Sequence, residues 1–246
     1  MVKQTYGLIG YPLGHSFSRR FFSEKFEAEG IDAQYLNFEI DSIERLPEVL
    51  TTEGLRGFNV TIPYKQQIIR YLSEISDEAR EIGAVNVVKI LPNGKLSGYN
   101  TDIIGFTESL RPMLRGTEKR ALILGTGGAS KAVFVGLKKM GIEPTYVSRS
   151  PREGQLSYAD LTPELMAEYQ VIVNATPLGM WPKTDAAPEI PYVSLTPNHV
   201  CFDLVYNPEQ TKFMELAAGH GARVKNGLEM LHLQAIAAWK IWNNNK

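Results

Sequence analysis

The residues best suited to chemistry begin with one stretch, Ala121-Leu-Ile-Leu-Gly-Thr-Gly-Gly-Ala-Ser-Lys131. Four apolar residues run into Gly125, Gly127 and Gly128, and a helical pattern follows from Ala129 to Met140. Strand, glycine turn and helix open a nucleotide-binding βαβ unit. The glycines let backbone approach a pyrophosphate, and the helix N-terminus offers N–H groups and a positive dipole end. The spacing departs from G-x-G-x-x-G because Gly128 follows Gly127 at once. The next strand, Pro144 to Val147, ends in Ser148-Arg149-Ser150-Pro-Arg152. NAD sites place an acid about 20 residues after the glycines to hold the ribose 2′-hydroxyl, whereas an arginine suits a 2′-phosphate. Arg149 therefore points to NADP; the alternative is a solvated basic turn.

A second candidate is Lys65, in Gly57-Phe-Asn-Val-Thr-Ile-Pro-Tyr-Lys65. Alternation predicts a strand over 58–62 with Asn59 and Thr61 on one face, and Pro63 predicts the first turn of a helix. A lysine in that turn opposes the dipole, which would lower its pKa toward a range useful for acid–base work. A surface lysine is the ordinary alternative. Ser16 and Ser18, at alternate positions of an extended segment after Tyr11-Pro-Leu-Gly14, would put two hydroxyls on one side, or would cap a helix. Asn86, polar within an apolar run, is either satisfied in the core or placed to bind. Thr101 or Asp102 fits an N-cap. Gln234, amid Leu231, Leu233 and Ile236, is an ordinary helix residue or a polar finger toward a ligand.

These residues must be held by alternating elements. The pattern predicts a strand Tyr6–Gly10, a helix from about Arg19 to Gly30 with Phe21, Phe22 and Phe26 on one face, and a strand Tyr35–Ile40. A short helix Ile43–Leu50 and another over Asp77–Ile82 follow. Ala84–Leu91 and Lys95–Tyr99 form a hairpin around Asn93-Gly94. From Ala121 to about Ala222 the alternation predicts one doubly wound sheet, with Val171 to Gly179 entering a Pro/Gly loop at its ligand-binding edge. A strand Val200–Val205, a helix Phe213–Gly219, a strand from Val224 and a long apolar helix Gly227–Trp242 complete the chain.

Length of 246 residues and 43% hydrophobic content suffice for two modest cores. A net charge of -1 gives no global field for nucleic acid or anionic membrane. No apolar run approaches a membrane span, and Met-Val-Lys-Gln-Thr does not start a signal peptide. The single Cys201, in an apolar strand, is expected to be a buried structural thiol in a reducing compartment, and four scattered histidines give no metal site. The expectation is a cytoplasmic protein with a small-molecule substrate, monomeric or homodimeric.

In order along nearly its whole length the chain resembles the shikimate dehydrogenase family. The resemblance rests on Gly10-Tyr-Pro-Leu-Gly-His-Ser-Phe-Ser18, Asn59-Val-Thr-Ile-Pro-Tyr-Lys65, Gly83-Ala-Val-Asn86, Asn100-Thr-Asp102, the glycine loop with Ser148-Arg-Ser150, Asn174-Ala-Thr-Pro-Leu-Gly-Met180, Phe202-Asp-Leu-Val-Tyr206 and Gly227-Leu-Glu-Met-Leu-His-Leu-Gln234. It implies an α/β fold: an N-terminal substrate domain over 1–100, a Rossmann-like NADP domain over 101–226, and a C-terminal helix, 227–246, packing back on the first. It implies reversible reduction of 3-dehydroshikimate to shikimate by NADPH. By the same resemblance, Lys65 and Asp102 become the catalytic pair. Ser16, Ser18, Asn59, Thr61, Asn86, Tyr206 and Gln234 become substrate contacts. Gly125, Thr126, Gly127, Gly128, Ala129, Ser130, Ser148, Arg149, Ser150, Thr176, Leu204 and Gly227 become the cofactor site. The chain departs from the family pattern in four places: Arg19 stands in place of proline, the pair Phe22-Ser23 in place of His-Asn, Ile103 in place of glycine and Ser148 in place of asparagine. A quinate-active relative and a non-catalytic NADP-binding relative are the rivals, the first discriminated by the loop at Ser16 and Ser18.

Overall fold

A computed structural model describes residues 2–14 and 16–244; His15 lies outside them. The chain divides into two compact units, Met1–Thr101 with Ala235–Lys246, and Asp102–Gln234.

The first unit is built on a mixed sheet. Its elements are β1 (Gln4–Gly10), α1 (Phe17–Ala28), β2 (Ala33–Glu39), α2 (Leu46–Leu50), β3 (Leu55–Val60), β4 (Glu74–Ile75), α3 (Asp77–Ile82), β5 (Val87–Ile90) and β6 (Leu96–Tyr99). The strand order is β2-β1-β3-β5-β6-β4. β1 pairs in parallel with β2 and β3, while β5 runs antiparallel to β3 and β6. Period-two alternation sorts the core. Tyr6 and Leu8 join Phe22, Phe26 and Tyr35 on one face, and Ile9, Phe58, Val60 and Val88 join Leu46 and Ile68 in a separate cluster. Phe22 and Phe26, one helical turn apart, are the buried side chains of α1, and Phe22 stacks on Tyr35 with ring centroids 4.8 Å apart. Ala235, Ala238 and Trp242 complete that face. The indole Nε1 of Trp242 donates to the Val88 carbonyl at 3.0 Å, so the end of the chain closes the first core, as expected.

The second unit comprises α4 (Asp102–Leu110), β7 (Arg120–Leu124), α5 (Gly128–Lys139), β8 (Glu143–Ser148), β9 (Leu156–Ser157), α6 (Pro163–Glu168), β10 (Val171–Asn174), β11 (Val200–Asp203), α7 (Lys212–Gly219), β12 (Arg223–Lys225) and the start of α8 (Leu228–Asn243). Its sheet runs β12-β11-β10-β7-β8-β9, all pairs parallel. Such a sheet is covered on both faces, and its central strands are accordingly apolar throughout. Leu122, Leu124, Ile172 and Cys201 point into one cluster; Ala121, Ile123, Val173 and Phe202 point into the other. The chain leaves β7 toward β8 on one side and returns to β10 on the other. Strand order therefore reverses beside β7, at the end where the glycines lie.

The cut within α8 falls at Ala235, later than the expected 227. Its first turns belong to the second unit. Met230 packs with Phe106 and Leu110, and a Cβ on Gly105 would strike the Met230 carbonyl and sit 3.1 Å from Gln234 Cβ. No described helix is long and apolar enough to cross a membrane.

Candidate active site

In the first unit the polar residues singled out by sequence are joined by hydrogen bonds. The Asn86 Oδ1 accepts from the Thr101 backbone N–H at 2.7 Å, and its Nδ2 donates to Thr101 Oγ1 at 3.1 Å. The Asn86 backbone carbonyl accepts from Val60 N at 2.8 Å and from Asn59 Nδ2 at 3.3 Å. Because that carbonyl can only accept, the Asn59 amide orientation is fixed, and its Oδ1 takes the Tyr35 hydroxyl proton at 2.7 Å. Burial drives the Tyr35 phenol well above its ordinary value, with Ser18 as its other side-chain partner. The chain of contacts ties β2, β3 and the β5 entry to Thr101, the residue before Asp102. Asn59, expected as a substrate contact, is buried with its amide bonded to the Tyr35 hydroxyl and the Asn86 carbonyl.

Two local expectations are corrected. Ser16 and Ser18 do not share an extended segment: α1 begins at Phe17, Ser16 is its N-cap and accepts from Arg19 N at 3.2 Å, and Ser18 lies in the first turn. The cap satisfies one otherwise orphaned helix donor, which is why the helix starts two residues early. Likewise, no α-helix follows Pro63. β3 stops at Val60, before Thr61, and Lys65 sits in a turn leading to the 3-10 segment Gln67–Tyr71. The dipole proposed to act on Lys65 therefore has no helix to come from. The Lys65 backbone carbonyl accepts from Val85 N at 2.7 Å. Thr61 is half-buried with its N–H on the Ile9 carbonyl at 2.9 Å.

In the second unit the glycine turn separates three roles. Gly125 needs its φ of +99°, and a Cβ there would lie 2.9 Å from Thr176 Cγ2. Gly127, with φ -72°, and Gly128, at negative φ, face open space that a Cβ would enter without contact. Neither backbone strain nor protein packing requires glycine at those two positions. The backbone there is open at a helix N-terminus, the kind of place where a phosphate can approach. No side chain caps α5, and no acid stands in its first turn. Ser130 is buried, its Oγ donating to the Gly127 carbonyl at 2.6 Å, while Thr126 is exposed and Ala129 half-buried. At the end of β8, Ser148 Oγ accepts from Ser150 N at 3.1 Å, forming a tight turn on which Arg149 is exposed.

The ends of β10 and β11 are locked by a cluster within the motifs Asn174–Met180 and Phe202–Tyr206, where the sequence reading assigned no role to Asn174 or Asp203. Asn174 Nδ2 donates to Asp203 Oδ1 at 2.9 Å, and Asn174 Oδ1 accepts from Thr176 N and Oγ1 at 3.0 and 2.6 Å. Asp203 also accepts from Val205 N at 2.9 Å and Thr211 Oγ1 at 2.6 Å. Burial pushes its carboxyl up to about 6 despite those donors. The available signal was an acid closing an otherwise apolar strand, Val200-Cys-Phe-Asp203. Leu204 is half-buried with its N–H on the Asn174 carbonyl at 3.0 Å. Gly227 is glycine because a Cβ would run into the Leu204 carbonyl oxygen. Tyr206 is exposed and Gln234 buried, its Nε2 donating to the Leu231 carbonyl at 3.1 Å. Cys201 is buried and burial raises its thiol to about 12, so it is inert as a nucleophile.

A parallel sheet of this order, with an open glycine turn beside its reversal point and an arginine ending the neighbouring strand, defines a dinucleotide-linked α/β protein. Comparison with known proteins narrows the class. Residues 8–88 match the shikimate dehydrogenase substrate binding domain. The chain is 36% identical over 261 residues to the shikimate dehydrogenase (NADP(+)) of Desulforamulus reducens, spanning 97% of this chain and 89% of the relative. It superimposes on the crystal structure of Aquifex aeolicus shikimate dehydrogenase with a TM-score of 0.85 at 38% identity, covering 98% of this chain and 92% of that one. Shikimate 5-dehydrogenase from Thermus thermophilus, solved with NADP(H) and shikimate, gives a TM-score of 0.85 at 32% identity, covering 98% and 93%. The chain belongs to the shikimate dehydrogenase family.

Proposed function

We propose that this protein is an NADP-dependent shikimate dehydrogenase, reducing 3-dehydroshikimate reversibly to shikimate. The observation that carries this reading is the near-full-length match to named NADP(+) shikimate dehydrogenases. The first unit takes the substrate and the second the cofactor. The protein acts in the cytoplasm as a monomer or homodimer, which sedimentation would settle.

The open backbone at Gly127 and Gly128 fits a pyrophosphate, and the exposed Arg149 fits a 2′-phosphate, with Ser148 and Ser150 beside it. Bound there, NADPH supplies the hydride that reduces the ketone carbon. Lys65 donates from its Nζ to the ketone oxygen, stabilises the negative charge that develops there and delivers the proton that completes the alcohol. Asp102 accepts a hydrogen bond from a substrate hydroxyl. Ser16, Ser18, Thr61, Asn86, Tyr206 and Gln234 supply the polar partners that a polyhydroxy carboxylate requires, and Asn59 supports Asn86.

Spectrophotometric assays with shikimate or quinate, each with NADP or NAD, test the proposal. Turnover with shikimate and NADP in strong preference to the other pairings supports it; no turnover despite tight NADP binding would favour a regulatory role. Arg149→Ala should weaken NADP by about 10-fold or more, the size of a lost charge-assisted hydrogen bond, and leave NAD nearly unaffected. Equal losses for both cofactors would remove Arg149 from the 2′-phosphate site. Gly128→Ala should leave thermal stability unchanged or raise it by up to about 1 kcal/mol, because the position is helical and open. The same change should weaken NADPH binding, since the added methyl enters the space assigned to phosphate. A stable variant with wild-type affinity would count against that assignment.

A further inference from the structure

Two side chains that the proposed chemistry does not use, Asn174 and Asp203, are fully buried beneath the loops that carry Thr176, Leu204 and, through Val205, Gly227. Every polar valence of the Asn174 amide is engaged. Its oxygen takes two donors from Thr176, and its Nδ2 serves Asp203 Oδ1 and, at 3.4 Å, the Leu178 carbonyl. The Asn174 backbone carbonyl takes the Leu204 N–H, and Asp203 Oδ1 takes the Val205 N–H. The Val205 carbonyl in turn accepts from Gly227 N at 3.1 Å. Three segments far apart in sequence are thus referred to one carboxylate oxygen. The other oxygen, Oδ2, faces away from this set, toward Thr211, the N-cap of α7, whose Oγ1 also accepts from Met214 N.

We propose that Asp203, acting through Asn174 and the Val205 amide, is a positioning residue of the dinucleotide site that fixes where Thr176, Leu204 and Gly227 meet the cofactor. The inference rests on the cofactor reading given above. It is also more specific than a structural role, because the carboxylate is divided: Oδ1 serves the site and Oδ2 serves α7. Cutting the two sides should have different consequences even where both lower stability.

The test measures NADPH binding directly, by the change in nicotinamide fluorescence, beside thermal melts and steady-state KM values, on the full chain. Wild-type protein that fails to bind NADPH would overturn the cofactor reading itself. Given binding, Asp203→Ala and Asn174→Ala should each raise the NADPH Kd by about 10-fold, one buried hydrogen bond's worth, with KM for NADPH rising more than KM for 3-dehydroshikimate. Asp203→Asn, which keeps an oxygen for Asn174 and Val205 and turns its amide toward Thr211, should restore affinity to within about 3-fold of wild type. Thr211→Val should lower the melting temperature with NADPH affinity retained. If Asp203→Ala does not fold, Asn174→Ala carries the test, since it severs the side-chain bonds to Thr176 and Leu178 and leaves Asp203 its bonds from Val205 and Thr211. Folded Asn174→Ala with wild-type affinity, or Thr211→Val losing affinity as much as Asn174→Ala does, would overturn the inference while leaving the cofactor reading intact.

Discussion

Lys65→Ala is expected to lower kcat by about 100- to 10,000-fold, the range that a positioned proton donor contributes, and to leave NADPH affinity close to wild type. The separation follows from where the residue sits. Its side chain is half-buried in a turn of the first unit, whereas the glycine cradle and Arg149 belong to the second. The turn itself should survive the substitution, because its bond to Val85 N is made by the Lys65 backbone carbonyl. Lys65→Arg refines the test: arginine keeps the cation but holds its proton at neutral pH. Loss of turnover in both variants supports proton delivery by Lys65, and substantial activity in the arginine variant would reduce its role to charge stabilisation. Near-normal turnover in the alanine variant would defeat the mechanism even with the family membership intact. Circular dichroism and NADPH titration on the same samples exclude unfolding as the cause.

Asp203→Asn is expected to change how stability depends on pH. Burial raises the Asp203 carboxyl from 3.8 to about 6. A raised acid favours the folded state most when it is protonated in both states. Its contribution is therefore complete below the unfolded value near 3.8 and is lost as pH rises through about 6. Two pKa units correspond to about 3 kcal/mol. Asparagine cannot ionise, so the stability of the variant relative to wild type should climb by up to that amount, about 3 kcal/mol, between pH 4 and 7. Tyr192 and Cys201, the titratable groups near Asp203, are themselves raised by burial and stay neutral across that window. Urea denaturation of both proteins at several pH values measures the difference. Parallel curves would show that Asp203 is ionised throughout, its three donors outweighing burial.

Local pattern was enough for much of this protein. The apolar runs at 121–124, 171–173 and 200–202 lie in the doubly covered strands of the second unit, and helix-period residues after Gly128 make α5. Asn93-Gly94 turns the hairpin, with Gly94 at φ +77°. Turns and strands of this kind are set by residues within a few positions of one another, and so they are visible in a linear string. Asp77–Ile82 was legible for the same reason: Ser76 caps it and Gly83, at φ +67°, ends it. The type of the glycine at Gly125, demanded by its backbone, is likewise a local matter.

Other features were settled only by contacts between distant segments. That Ser16 caps α1 was settled by where the helix begins, a start set by the cap itself and by the docking of Phe22 and Phe26 against Tyr6, Tyr35 and Trp242. Lys65 kept its place in the order of the chain but lost its predicted helix, because the short segment after Pro63 buries Ile68 in a single 3-10 stretch. Asn59 and Asn86 were both candidates to bind; only the folded chain shows the first bonded to the Tyr35 hydroxyl and the second to Thr101. Asn174, Asp203 and Thr211 come from three separate stretches; an acid closing an apolar strand marks Asp203, but its partners are visible only in the folded chain. Sequence by itself determined the periodic elements, the glycine turn and the residue types able to do chemistry, because those follow from short-range sterics and patterning. The tertiary structure alone decided which polar groups are used up in the core and which remain to meet a ligand, because a buried donor or acceptor must find its partner in space, wherever that partner lies in the chain.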